Sequence, residues 1–417
     1  MPISNFAKKV VKKIAFEKKN LAIAKNIRRK VNNGEKIRVV FVCHRPAVWS
    51  SLKSVYEELK NDSDFDVKIV AIPNKKEIPG KWMEHDIYES EGAEDFFAQY
   101  GCINGYDYEK KEWLDLRTLQ PDYIFFQQPY NVTRCEAYKS YNVSKYARLL
   151  YVAYATDFIG DGVLEETSPK DYLNDVYFYF TQNKLDHELI KGILDKQKNM
   201  HSRPVLTGFP RYDGIDKYVG SDSDLWKRSK DKYRVMWTPR WCTNEGNCSF
   251  FDYKDELVNY CNGHEKIDLL FRPHPQAFSN WNQTGELPNE EAQEYKSVYT
   301  NSDNMNIDQK SEYMDTIFSS DCLISDTSSF IADYFLTGNP VIYCHKINMF
   351  NSFSQRMSEG FYWVNNWGEL EETLDMLSNG EDPLKEKRQK LIEELYNTKE
   401  SAAAAIVRAI KQDAGII

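Results

Sequence analysis

The run Ile324-Ser325-Asp326-Thr327-Ser328-Ser329-Phe330 has the residue types of an oxyanion site. An apolar stretch ends there, and a helical pattern (Phe330, Ile331, Tyr334, Phe335) begins and stops at Gly338. The first N–H groups of a helix lack partners, so with the hydroxyls of Ser325, Thr327, Ser328 and Ser329, and Asp326 among them, they can hold a phosphate. An N-cap needs only one such residue, and the crowding of polar groups favours the phosphate reading. A second segment, Phe271-Arg272-Pro273-His274-Pro275, brackets a histidine with two prolines that fix the backbone. Arg272 offers forked, permanently charged donors, and His274 can donate to a phosphate or protonate a leaving group. Trp237-Thr238-Pro239-Arg240-Trp241 adds a hydroxyl, Thr238, and a cation, Arg240.

Earlier in the chain, Gly208-Phe209-Pro210-Arg211-Tyr212-Asp213 reads as a hinge turn carrying Arg211. His44-Arg45-Pro46 and the stretch from Thr156 through Asp157 and Asp161 to Gly162 follow apolar runs. Asp157, His44 or Asp161 could take a proton from an attacking hydroxyl. No Gly-x-Gly-x-x-Gly, P-loop or His-Glu-x-x-His pattern occurs, and Asp222-Ser223-Asp224 reads as a solvated charge run. The expectation is a diphosphate neutralised by a helix start, Arg and His, with no metal and no cofactor.

These segments need a scaffold that aims strand ends at one ligand. Ile37–Cys43, Val67–Ile72, Asp122–Phe126, Leu149–Tyr154, Val176–Phe180 and Pro204–Leu206 are short apolar runs typical of buried parallel strands. They alternate with helical patterns such as 48–59 and 185–193. After a polar stretch, Asp213–Lys232, the alternation restarts with Tyr233–Trp237, Ile267–Phe271, Cys322–Ile324 and Val341–Tyr343. The expected fold is α/β and GT-B-like: two Rossmann-like, doubly wound domains facing a cleft, with ligands at strand C-terminal ends. The expected boundaries are a basic amphipathic helix over 1–36, one Rossmann-like domain over 37–218, a second over 219–382 and a helical segment over 383–417.

The 417 residues exceed one ordinary core, and 28% charged against 41% hydrophobic residues is a folded balance. Residues 1–38 carry a net charge of +10 and the remainder −19, which argues against nucleic-acid binding by the main domains. Ile3, Ala7, Val10, Ile14, Leu21, Ala24, Ile27 and Val31 recur at helical steps between lysines and arginines. Such a helix can lie on an anionic membrane surface, or it can lay its stripe on the protein body. The eight cysteines form no Cys-x-x-Cys pair, and no secretory pattern or membrane-spanning apolar window is visible. A cytoplasmic place, peripheral on the inner face of the membrane, is expected.

In this order, Gly-Phe-Pro-Arg-Tyr-Asp, Thr-Pro-Arg-Trp, Arg-Pro-His-Pro and Ser-Asp-Thr-Ser-Ser resemble the CDP-glycerol glycerophosphotransferases, GT-B enzymes of teichoic acid and related polymer synthesis. The likeness is strong over residues 200–345 and thin before them. It implies that His274 and Arg272 meet the pyrophosphate of a CDP-polyol, that Ser328 and Ser329 hold phosphate, and that Thr238 and Arg211 line the cleft. It also implies a glycan or polyol-phosphate acceptor and release of CMP. The family's first-half His-Gly is absent; the corresponding strand end reads Ala155-Thr156-Asp157. The family's Thr-Pro-x-Trp-Arg turn reads Thr-Pro-Arg-Trp-Cys, which displaces Arg240. A GT-B glycosyltransferase, a sugar-nucleotide epimerase and a non-catalytic nucleotide-binding subunit stand as alternatives.

Overall fold

The computed structural model describes residues 5–76, 78, 85–156, 170–197, 201–310, 312–347, 349–396 and 400–417, with backbone alone for 5–17 and 170. The chain divides into two units. The first comprises Met1–Ala155, Gly162–Asp213 and Asn397–Ile417; the second comprises Thr156–Asp161 and Gly214–Tyr396.

In the first unit the apolar runs become parallel strands β1 (Ile37–Cys43), β2 (Phe65–Ala71), β3 (Ile103–Asn104), β4 (Tyr123–Phe126), β5 (Arg148–Val152), β6 (Val176–Thr181) and β7 (Arg203–Leu206). Their spatial order is β7-β6-β5-β4-β1-β2-β3. β4, β5 and β6 are buried along their whole length, which is why they read as unbroken apolar runs. The second unit repeats the plan with β8 (Tyr233–Thr238), β9 (Ile267–Phe271), β10 (Met305–Ile307), β11 (Cys322–Ser325), β12 (Val341–Cys344) and β13 (Tyr362–Val364). Their order is β10-β9-β8-β11-β12-β13, again all parallel. Both sheets thus reverse direction of growth once, between β1 and β4 and between β8 and β11. Loops after the strands on either side of such a reversal part and leave a crevice.

The basic helix, α1 (Asn5–Asn32), lays its last turns on the first unit. Ile23 and Ile27 enter that unit's core, and the buried Lys30 pairs with Asp122 at 2.7 Å. Lys18, Leu21, Lys25, Arg28 and Arg29 remain exposed. The expected 48–59 helix is a 3-10 turn, Pro46–Ser51, followed by α2 (Lys53–Asn61).

The C-terminal segment, expected as one helical stretch, is two helices that belong to different units. α3 (Lys385–Leu395) lies in the second unit, where the fully buried Arg388 donates to the Gly338 carbonyl at 3.0 Å. α4 (Ala402–Ala414) returns to the first. Asp213 caps its start, accepting the N–H groups of Ala402 at 2.7 Å and Ala403 at 2.9 Å while Ser54 Oγ donates to it at 2.8 Å. A carboxylate there meets both the unpaired amides and the positive end of the helix.

Candidate active site

Strands β8, β9 and β11 are neighbours, so their following loops meet at the reversal of the second sheet. Thr238 and Ser325 pair in register across it. Both are buried: Thr238 Oγ1 donates to Ser325 Oγ at 3.0 Å, and Ser325 Oγ donates to the Thr238 carbonyl at 2.7 Å. These hydroxyls fasten two strands together and are consumed in doing so.

The polar run expected as an oxyanion crown is divided by burial. Asp326 is fully buried and accepts the Arg240 N–H at 2.7 Å and the Ser249 N–H and Oγ–H at 2.8 Å each. Burial pushes its carboxyl up to about 7 despite these donors. Thr327 Oγ1 shares a hydrogen bond with Tyr343 Oη at 2.8 Å, also out of solvent. Only Ser328, half-buried, and Ser329, exposed, reach the surface, just before the short helix Phe330–Phe335. The Phe330 N–H donates to Ser328 Oγ at 3.2 Å. Of the five residues expected to bind ligand, Ser325, Asp326 and Thr327 have their polar atoms hydrogen-bonded inside the fold.

Arg272 also differs from a free phosphate clamp. Its guanidinium pairs with the fully buried Asp308 and donates to the Lys310 carbonyl at 2.9 Å. It lies over the rings of Tyr313, 4.7 Å away, and Phe330, 5.7 Å away. Asp308 follows β10, a three-residue edge strand whose mixed Met305-Asn306-Ile307 sequence carries no apolar run. An acid one residue past a strand end, opposite an arginine at the next strand end, is the signal that would have exposed this pair.

His274 is exposed and stacks on Trp241, with ring centroids 5.7 Å apart and planes inclined by 28°. The Gln276 N–H donates to its Nδ1 at 3.2 Å, which leaves the ring proton of the neutral imidazole on Nε2. Partial burial, and then the charge of Arg240, hold its pKa below the ordinary value. Arg240 donates to the Thr327 carbonyl at 3.0 Å and pairs with Glu245. The loops after these strands thus carry one imidazole N–H and two serine hydroxyls, together with the guanidinium groups of Arg240, paired with Glu245, and Arg272, paired with Asp308.

The remaining expected residues belong to the first unit or fall outside the description. His44 follows β1 and is buried. Its Nε2–H donates to Gln128 Oε1 at 2.9 Å, and its backbone N–H donates to Gln127 Oε1 at 2.7 Å. Burial, followed by the charge of the buried Arg134, lowers its pKa to about 4, so the ring is neutral near pH 7. Arg211 Nε donates to Ser50 Oγ at 3.0 Å in the turn after β7. Asp157 and Asp161 lie outside the described residues. Among the described residues no group of His, Cys, Asp and Glu is arranged to hold a metal ion. No helix there is long and apolar enough to cross a membrane.

Residues 161–358 match the family model described as CDP-Glycerol:Poly(glycerophosphate) glycerophosphotransferase. A search of curated proteins finds no match in sequence. Among solved structures, S. aureus MnaA in a co-structure with UDP is 10% identical with a TM-score of 0.59, over 91% of this chain and 98% of that one. UDP-GlcNAc 2-epimerase from Neisseria meningitidis, bound to UDP-GlcNAc, is 10% identical at a TM-score of 0.58, over 90% and 100%. The wall teichoic acid polymerase TagF, in a variant soaked with CDPG, is 14% identical at 0.53, over 97% and 98%. At these identities the structural likeness shows the fold alone, which is the GT-B type with two Rossmann-like sheets.

Proposed function

We propose that this chain, a CDP-glycerol glycerophosphotransferase-type enzyme by its family segment over residues 161–358, moves a polyol phosphate from a CDP-activated donor to a hydroxyl of a lipid-linked or polymeric glycan acceptor. The reaction belongs to teichoic acid or capsule-type polymer synthesis. That family match is the observation that carries the reading, because it spans all three strand-end loops around His274. The acceptor oxygen forms a bond to the β-phosphorus, the bond from that phosphorus to the bridging oxygen breaks, and CMP leaves with the electron pair. Positioning and charge neutralisation do most of the work in such a transfer.

Within the second unit, His274 Nε2–H and the hydroxyls of Ser328 and Ser329 meet the diphosphate oxygens. Arg272 and Arg240, held by Asp308 and Glu245, supply fixed positive charge behind them. Thr238 sets the strand spacing, and Arg211 serves the acceptor side. Asp157 takes the acceptor proton; His44, whose Nδ1 is the unprotonated nitrogen, is the alternative base.

Incubation with CDP-glycerol and with CDP-ribitol plus membranes, followed by chromatography of CMP, tests the assignment. Release of CMP that depends on the membrane acceptor is expected. Turnover of a UDP-sugar with no binding or turnover of any CDP-polyol would replace it with the nucleotide-sugar reading. Calorimetric binding of CDP without turnover on any acceptor would favour a non-catalytic subunit.

The enzyme works at the cytoplasmic leaflet in this reading, through the exposed cations of α1. Each Lys or Arg near an anionic surface contributes about 1 kcal/mol. Reversing Lys18, Lys25 and Arg28 to glutamate should weaken binding to phosphatidylglycerol vesicles by about 100-fold or more. Cosedimentation measures this, and a wild-type protein that ignores such vesicles at low salt removes the membrane placement.

A further inference from the structure

We propose that Asp326 is a positioning residue for His274, acting through the loop that joins β8 to the next helix. This rests on the transferase reading above for its kinetic consequences, although its geometry stands without it.

Asp326 is fully buried, and the guanidinium of Arg240, whose N–H it accepts, pairs instead with Glu245. A carboxylate in that position is costly unless its oxygens are well supplied with donors. Its donors come from the two ends of one loop. Oδ1 accepts the N–H of Arg240, just past the end of β8, and Oδ2 accepts the N–H and Oγ–H of Ser249, where the helix Phe250–Gly263 begins. One side chain after β11 therefore pins both ends of the connection after β8. Cys248 Sγ–H, donating to the Arg240 carbonyl at 2.9 Å, tightens the same loop on itself.

What the pinned loop carries is addressed to His274. Trp241, adjacent to the anchored Arg240 amide, supplies the ring on which the imidazole stacks. The Arg240 guanidinium supplies the charge that, after burial, lowers the imidazole pKa. The prolines on either side hold the backbone of His274, whereas its ring plane and its proton affinity are set from the neighbouring loop. The link runs from the end of β11, through the loop after β8, to the end of β9, along three strands that lie side by side. Asp326 thus touches neither phosphate nor acceptor, and its contribution is the orientation and neutrality of the group that does.

Asp326→Asn preserves the shape but turns an NH2 group toward one of the three donors. Misplacement of a reacting group by about 1 Å costs on the order of 10²-fold in rate. The expected result is a fall of about 10²-fold in kcat for CDP-glycerol with KM little changed. The NMR titration of the His274 imidazole should also move up toward the ordinary histidine range as Arg240 and Trp241 leave it. A lowered melting temperature with kcat and the His274 titration unaltered would overturn the proposal, since a purely structural anchor predicts that pattern. If Asp326→Asn does not fold, Trp241→Ala carries the test: the same rise in the His274 titration is expected, and no change refutes the link. If the wild-type protein turns over no CDP-polyol, the transferase reading fails, while the NMR arm still decides whether Asp326 governs His274.

Discussion

Replacing His274 with alanine is expected to lower kcat for CMP release from CDP-glycerol by about 10²–10³-fold, the usual loss for one preorganised donor at a developing oxyanion. KM should change little, and the fold should be intact, because the side chain is exposed and its polar contact is the Gln276 N–H. His274→Gln, whose amide N–H can reach toward the same place, should recover part of the rate. Partial burial and the charge of Arg240 favour the neutral imidazole over its charged form, and the Gln276 N–H at Nδ1 leaves the ring proton on Nε2. The sign of the pH effect follows from that preference. Stability linked to the neutral ring is complete above the unfolded value and is lost as pH falls through the lowered folded value. The second proton must go to Nδ1, which breaks the Gln276 contact, so activity should decline on the same acid limb. Near-normal turnover by the alanine variant, measured at saturating donor, would remove His274 from the mechanism.

The largest stability effect is expected at Asp413, near the C-terminus. Its carboxylate pairs with Arg148, and both side chains are 6% exposed. Tyr123 Oη donates to it at 2.5 Å and Tyr177 Oη at 2.8 Å, while the Arg148 guanidinium lies 4.0 Å over the Tyr177 ring. Asp413→Ala leaves a buried guanidinium without its counter-charge and two phenols without their acceptor. Removing one partner of such a pair costs about 3–5 kcal/mol, enough to threaten a domain whose whole margin is about 5–15 kcal/mol. Urea denaturation measures the loss. Glu400→Ala, which deletes an exposed partner of Arg408 on the same helix, should shift the midpoint little. An Asp413 variant within about 1 kcal/mol of wild type would show that α4 is not held by this cluster.

The inner strands of both sheets are legible in the sequence because parallel strands buried on two faces must be apolar throughout. Ile37–Cys43 and Ile267–Phe271 coincide with β1 and β9 to the residue. The edge strands β3, β10 and β13 are not legible, since two or three residues such as Ile103-Asn104 leave no run to recognise. The return of α4 to the first unit is equally silent: its buried Ala402, Ala403, Ile406, Val407 and Ile410 form an ordinary amphipathic face whose partner no local pattern names.

At the site, the Pro-His-Pro setting follows β9 and its imidazole is exposed. Direction of burial is what the sequence withholds. Ser325, Asp326 and Thr327 have the composition of a phosphate crown, yet each spends its polar atoms on a neighbouring strand or loop. Arg272 looks free until the unrecognised strand β10 brings Asp308 against it. A fold built on side-by-side strand ends uses polar residues both to bind and to brace. Types and spacing alone do not separate the two uses.

A crystal structure of the protein with CDP bound tests the central claim most directly. The diphosphate is expected at the reversal of the second sheet, within hydrogen-bonding distance of His274 Nε2 and the Ser328 hydroxyl, with Asp326 still buried against Arg240 and Ser249. A CDP molecule bound elsewhere, with His274 and Ser328 both clear of phosphate, would contradict it.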